Sequence, residues 1–344
     1  MKFFFFVVYI SIFSSFFSQS YLFKSLSVAE GLAQTQINDI CEDENGYLWI
    51  ATLGGLSRYN GNSFYNYSIE DGLANNRVTA LFSENNKLWI AQESAVSKLE
   101  NGKIVTWKLQ QKNVIITDII KFNNTIVFST FGHGIFYFEK NKIKNFKFSV
   151  DDQNKIRQLN VLDNRLYIAT RKGLFTTNDF KFYKEVRTFK DLNITCFALY
   201  KNQILLSDVE GDLYLSPVNS NKKTLFYDNP YQSFNLSILI NKKDIFISSD
   251  SGILWFNDGR FAQLISQTNG LPINNVQCGF VDSNQTLWFG SLGKGLLKFS
   301  GTKVQYYQQK DGMESDLVTS VHYLNGTHFI GTFDGGLYAF KNNH

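Results

Sequence analysis

The chain has 344 residues, of which 44% are hydrophobic, 19% charged and 16% aromatic, with a formal net charge of +4. These values exclude a disordered, collagen-like or coiled-coil chain, and three widely spaced cysteines exclude a disulfide scaffold. The basic residues are spread along the whole length, so no basic stripe of the kind nucleic acid requires is present.

Residues 1–20 read MKFFFFVVYISIFSSFFSQS. Lys2 precedes an apolar run over 3–13, and Ser18 and Ser20 place small residues ahead of a cleavage point after position 20. The run is shorter than the roughly 20 residues a membrane span needs. No cysteine follows it before Cys41, which argues against a lipid anchor. The sequence therefore predicts a cleaved signal peptide, 1–20, and a single domain, 21–344, with no membrane span after cleavage and a periplasmic or secreted location.

Beyond residue 20 one pattern recurs. LWIATLGGLSRYNG (48–61) and LWFGSLGKGLLKFSG (287–301) each run from an apolar segment through a small residue and a hydroxyl into a Gly-containing turn, then a Leu. The apolar residue after that turn falls at Leu56, Val96, Ile135, Leu174, Leu213, Ile253, Leu296 and Leu337, at spacings of 39 to 43 residues. Within the second unit, 77–110, four short runs (78–83, 87–92, 95–99 and 103–109) are separated by the connectors SENN, ES and ENG. Short runs of period two divided by Asn/Gly turns read as antiparallel strands in hairpins. Four strands in about 40 residues is the signature of a β-propeller blade.

Eight units predict an all-β, eight-bladed propeller, with seven blades as the alternative. The last unit has three strands, near 317–324, 327–332 and 336–340, and lacks a fourth. A spare strand, YLFKSLS (21–27), precedes VAEGL much as SFYNYS precedes IEDGL. The expectation is that 21–27 completes the last blade and closes the ring, which leaves no open sheet edge.

The phrases EGLAQTQINDICEDENGYLWIAT (30–52), DGLANNRVTALFSENNKLWIAQ (71–92), NGLPINNVQCGFVDSNQTLWFGS (269–291) and DGMESDLVTSVHYLNGTHFIGT (311–332) resemble the two-component regulator propeller repeat. Units three to six resemble it less closely, because they lack the Trp of the second strand. The resemblance implies a periplasmic sensor region of a histidine kinase or hybrid regulator that responds to a small polar or carbohydrate ligand. Such sensors usually continue into a β-sandwich, a membrane span and a kinase. None of these follows here, so the reading is a sensor propeller without its own output domain, served by a membrane sensor kinase or other protein partner.

Residues that carry chemistry are sparse. Trp49, Trp89 and Trp288 share one strand position and read as packing between blades. The turn glycines are not followed by a helix, so they are not a phosphate loop. The four histidines have no metal-ligand spacing, and Cys41, Cys196 and Cys278 read as buried small hydrophobes. No cofactor or metal is expected. An enzyme is not expected either, although a polysaccharide lyase or hydrolase stays as an alternative, as does a protein-interaction scaffold.

Topology locates the candidate face. In a four-stranded meander the loops from strand two to three and from strand four to the next blade share one side. That side carries the candidate ligand-binding residues Arg77, Gln92, Glu93, His133, Arg171, Lys172, Asp208, Asp250, Lys294 and Asp334. A mixed ring of charges and amides on a rigid scaffold suits a hydroxyl-rich ligand.

Overall fold

The computed structural model describes residues 21–140, 142–218, 220–301 and 313–341. The expected signal peptide lies outside them. The described residues form two compact units, one spanning Leu22–Gly301 and the other holding the strands after residue 312.

Each repeat becomes one antiparallel sheet. The first has strands Ile37–Glu42, Leu48–Thr52, Gly55–Tyr59 and Phe64–Tyr67, hydrogen-bonded in chain order. Five sheets of the same plan follow, starting at Val78, Ile116, Ile156, Ile194 and Asn235. Paired residues with positive φ, such as Asn85-Asn86, Asn123-Asn124 and Asp163-Asn164, make the tight first hairpins, because their twist matches that of the strands. In every sheet the register of strand one against strand two slips after the first residue. The skipped residue is a β-bulge, which redirects its side chain.

The first strands pack against one another in succession, and that of the seventh sheet returns to that of the first. Apolar clusters fill the spaces between consecutive sheets. Ile37, Ile50 and Leu48 meet Trp288 and Leu296 between the first and seventh. Between the sixth and seventh, Phe246 meets Phe289 and Phe299 at ring distances of 6.0 and 6.2 Å. The unit Leu22–Gly301 is thus a closed ring of seven sheets.

The strand Phe23–Leu26 closes it, but in the seventh sheet rather than the eighth, which corrects the expected pairing. It runs antiparallel to Leu296–Phe299, with Phe23 opposite Phe299 and Leu26 opposite Leu296. Phe23 stacks on Phe299 at 4.7 Å. A Cβ on Gly295 would collide with the Leu26 carbonyl, as one on Gly252 would with that of Ile265. Leu26 therefore occupies the place that the end of strand four holds in other sheets. The physical reason is that seven interfaces already complete the circle, leaving the fourth position of sheet seven to the N-terminal strand. The segment 304–310, the sequence's other fourth strand for that unit, lies outside the described residues.

The second unit carries the eighth sheet, with strands Val318–Leu324, Thr327–Thr332 and Leu337–Lys341. Val318 and Leu337 are 50% and 71% exposed, whereas their counterparts Ile37 and Leu56 in sheet one are at 0%.

Candidate functional site

The recurring hydroxyl before each turn is a staple. Thr52 Oγ1 donates to the Gly55 carbonyl at 2.7 Å and accepts from the Gly54 N–H at 3.1 Å. Thr130, Thr170, Ser249 and Ser291 bond the carbonyls of Gly134, Gly173, Gly252 and Gly295 in the same way. Gln92 and Asp208 hold this position in sheets two and five. Gln92 is fully buried; its amide donates to the Asn75 carbonyl and accepts from Ser97 Oγ at 2.7 Å. Asp208 Oδ1 accepts from the N–H groups of Glu210 and Asp212 at 3.1 and 3.0 Å, and burial pushes its carboxyl up. Both shape the turn, and neither presents a free group to the face.

The residue after the staple varies in chemistry and is partly or largely exposed. Around the ring it reads Leu53, Glu93, Phe131, Arg171, Val209, Asp250 and Leu292. Glu93 pairs with Arg77 at 3.4 Å. Asp250 Oδ1 accepts from the Phe234 N–H at 3.1 Å. Lys172 pairs with Asp191 at 3.4 Å, and Lys294 is exposed. The His133 N–H donates to Thr130 Oγ1, while its Nδ1 is buried without a partner. Seven of the ten sequence-predicted residues therefore lie on the loops of one face of the ring, and Gln92 and Asp208 end second strands beside those loops. Asp334 belongs to the second unit.

Sequence reasoning missed the bulge position. It places Asn38, Thr79, Thr117, Arg157, Thr195, Leu236 and Gln277 where each first strand begins, on the same face as the staple turns. Asn38 Nδ2 and Thr117 Oγ1 donate to the first carbonyl of the next sheet's first strand, Val78 and Ile156. Arg157 has no such bond. Its guanidinium instead lies over the Phe131 and Phe234 rings, 5.8 and 5.0 Å from their centroids. Counting the second residue of every first strand would have found it.

One position further on, Asp39 accepts from the Leu81 N–H of the next sheet at 2.8 Å and from the Ile40 N–H at 2.8 Å. Asp118 does the same with Leu159 and Ile119, each at 2.8 Å. Burial pushes these carboxyls up, to about 6 for Asp39 and about 7 for Asp118. Perturbed acids can mark active sites. Here each oxygen is occupied by a backbone N–H, so the pair ties neighbouring first strands together. Burial also holds the Cys196 thiol up at about 12. No group of three or more His, Cys, Asp or Glu residues suited to a metal exists among the described residues.

Two grooves open on the opposite side, at the tight hairpins. One is lined by Trp49, Arg58, Tyr67 and Asn86, with the Arg58 guanidinium 4.8 Å from the Tyr47 ring. The other is lined by Tyr59, Asn60, Asp282, Trp288 and Lys298. In both, an acid six residues before a Trp holds its indole. Trp49 Nε1 donates to Asp43 and Trp288 Nε1 to Asp282, each at 2.8 Å.

Residues 31–54 match the family model described as two component regulator propeller. A stretch of 50 residues is 36% identical to histidine kinase P4 of Formosa agariphila, covering 14% of this chain and 4% of that protein. Two solved structures from B. thetaiotaomicron are similar over nearly the whole chain. One is the extracellular domain assigned to the hybrid two component system BT3049 (TM-score 0.73, 21% identity, 94% of this chain and 48% of that one). The other is the extracellular domain of BT4673 (TM-score 0.69, 15% identity, 95% and 48%). Virginiamycin B lyase from Staphylococcus aureus is similar at TM-score 0.69 and 13% identity, over 81% of this chain and 99% of that enzyme. The chain spans about half the length of the two extracellular domains and a small part of the kinase. No helix among the described residues is long and apolar enough to cross a membrane. At these identities the shared property is the fold, which serves extracellular domains of such systems and a lyase alike. Residues 31–54 give the narrower assignment: this chain is a β-propeller that carries the two component regulator propeller repeat.

Proposed function

We propose that the protein is a non-catalytic, extracytoplasmic recognition module that binds a small polar or carbohydrate ligand on the staple-loop face of its seven-sheet ring. The observation that carries this reading is the contrast between adjacent positions on each turn. The staple is fixed by hydrogen bonds in sheet after sheet, while the next residue changes among Leu, Glu, Phe, Arg, Val and Asp and stays partly or largely exposed. A rigid frame that displays variable side chains is how loops are used for recognition. The similarity to extracellular domains of two component systems supports the same reading, and transmission would then run through a membrane sensor kinase or other partner protein.

The similarity to a lyase keeps catalysis as the competing reading. Against it, the strongly perturbed carboxyls Asp39 and Asp118 are occupied by backbone N–H groups. One experiment separates the two. Residues 21–344 are screened by thermal shift against oligosaccharides, with product release assayed in the same wells. A ligand at about 100 times its Kd adds roughly 2.7 kcal/mol, a rise of a few degrees at this size. A shift without turnover supports recognition. Turnover would replace it with the lyase reading, and the absence of any shift would leave the face without a saccharide ligand.

A further inference from the structure

Arg157 sits at the mouth of the ring in a setting that an internal role does not explain. It is the bulge residue of the strand Ile156–Leu162, between the paired positions Ile156 and Gln158. Its planar cation lies over Phe131, from a turn of sheet three, and Phe234, from the entry to sheet six. These sheets are not neighbours, so the guanidinium reaches into the space that the loops enclose. Cation–π contacts hold such a group in place without consuming its N–H donors. Its Nε is buried with no hydrogen-bond partner.

Among the described residues, no carboxylate pairs with it. The acids on the adjacent loop are engaged elsewhere: Asp151 and Asp152 pair with Lys155 at 3.3 and 2.8 Å, and Asp191 pairs with Lys172. Asp250 bonds the Phe234 backbone rather than the guanidinium. The charge nearest in kind is Arg171, whose repulsion adds to burial in disfavouring the Arg157 cation. Arginine keeps its charge at any ordinary pH, so the cation stays unneutralised. An oxyanion would relieve this, and the guanidinium fork matches a carboxylate or sulfate in two parallel hydrogen bonds. The equivalent residues Asn38, Thr79, Thr117, Thr195 and Gln277 line the same face but spend their polar groups on hydrogen bonds within the protein, so the uncommitted group at this position is the Arg157 guanidinium, beside the half-exposed ring of Phe131. A fixed cation flanked by the aromatic rings of Phe131 and Phe234 suits a sugar that carries an acidic group, its ring stacking where the aromatic surface is open.

We propose that Arg157, assisted by Arg171, anchors the carboxylate or sulfate of an acidic saccharide in the mouth of the ring. This rests on the recognition reading above and narrows its ligand class. The test is calorimetric titration of residues 21–344 with trigalacturonic acid and with a sulfated galactan disaccharide. Each is paired with its carboxyl-reduced or desulfated counterpart, and sodium sulfate serves as the free-anion control. At least one acidic probe should bind more tightly than its neutral counterpart by about tenfold or more, the effect of a charge-assisted hydrogen bond. Arg157→Gln should abolish that preference, and Arg157→Lys should restore only part of it, because lysine lacks the fork. The unliganded R157Q protein should melt no lower than the wild type, which separates loss of binding from loss of fold. Equal binding of acidic and neutral probes, unchanged in R157Q, would overturn the anchor and leave the recognition reading standing. Stabilisation by sodium sulfate alone, lost in R157Q, would replace the saccharide with a free anion. Failure of both acidic probes would overturn the anchor, while the recognition reading stands or falls with the oligosaccharide screen above.

Discussion

Seven sheets of this protein and the eighth are written in the same repeat, yet they end in different physical states. In the ring, the first residue of strand one and the first apolar residue of strand three are fully buried in sheet after sheet, as at Ile37 and Leu56 or Ile116 and Ile135. Their counterparts in the eighth sheet, Val318 and Leu337, are exposed. The turn glycines show the same split. A Cβ on Gly134, Gly252 or Gly295 would strike the carbonyl of a fourth strand or its substitute, whereas one on Gly336 would meet nothing within 4 Å. Within the ring, a sheet's own residues are only part of what buries its apolar positions. The rest comes from a neighbour on its apolar face and from a fourth strand at its edge.

The largest break in this comparison should come from removing residues 21–27. That deletes the Leu26 burial, worth about 1.5–3 kcal/mol, the Phe23–Phe299 stacking, worth about 0.5–1.5 kcal/mol, and the cover on the edge of sheet seven. A melting temperature lower by roughly 10 °C is expected by calorimetry. Next in size is a matched pair at one repeat position. Leu296→Ala should cost about 2–5 kcal/mol in urea unfolding, and Leu337→Ala less than about 0.5 kcal/mol. Equal costs would mean that the two sheets share one environment. A smaller effect is expected for Asp282→Ala, which strands the N–H groups of Thr286 and Trp288. The expected loss is about 1–3 kcal/mol.

A different kind of effect, read as a slope rather than a loss, is a pH dependence carried by the ring. Asp39 and Asp118 have carboxyls raised to about 6 and about 7 by burial, above the roughly 3.9 of an unfolded aspartate. Between those values the native state holds more protons than the unfolded state, so stability falls as pH rises from about 4 to about 7. Asp118→Asn should flatten that slope while still accepting from the Leu159 N–H. A slope unchanged in this variant would assign the dependence to other groups.

Much of this was legible in the sequence. The period near 40 located every sheet, and the hydroxyl–glycine phrase located the two-to-three turns of all sheets but the second and fifth. The face was legible too, because strand count alone decides which loops share a side. Ring closure was not. YLFKSLS at 21–27 and VQYYQQK at 304–310 are equally good fourth strands, and only the number of sheets that completes the circle decides between them. Gln92 and Asp208 are polar and near the face, which makes them candidates in the sequence, but in phase with Thr52 and Thr130 they are staples. Arg157 was hidden for the opposite reason: it sits inside a strand, and nothing in a strand's periodicity announces a bulge.

The most direct test of the central claim is hydrogen–deuterium exchange on residues 21–344. If the N-terminal strand closes a seven-sheet ring, the amides of 23–26 should exchange as slowly as those of 296–299, which they pair. Those of 318–324 should exchange faster by about a hundredfold or more, as expected of a sheet that opens without the ring. Rapid exchange at 23–26 together with strong protection at 318–324 would contradict the account and return closure to the eighth sheet.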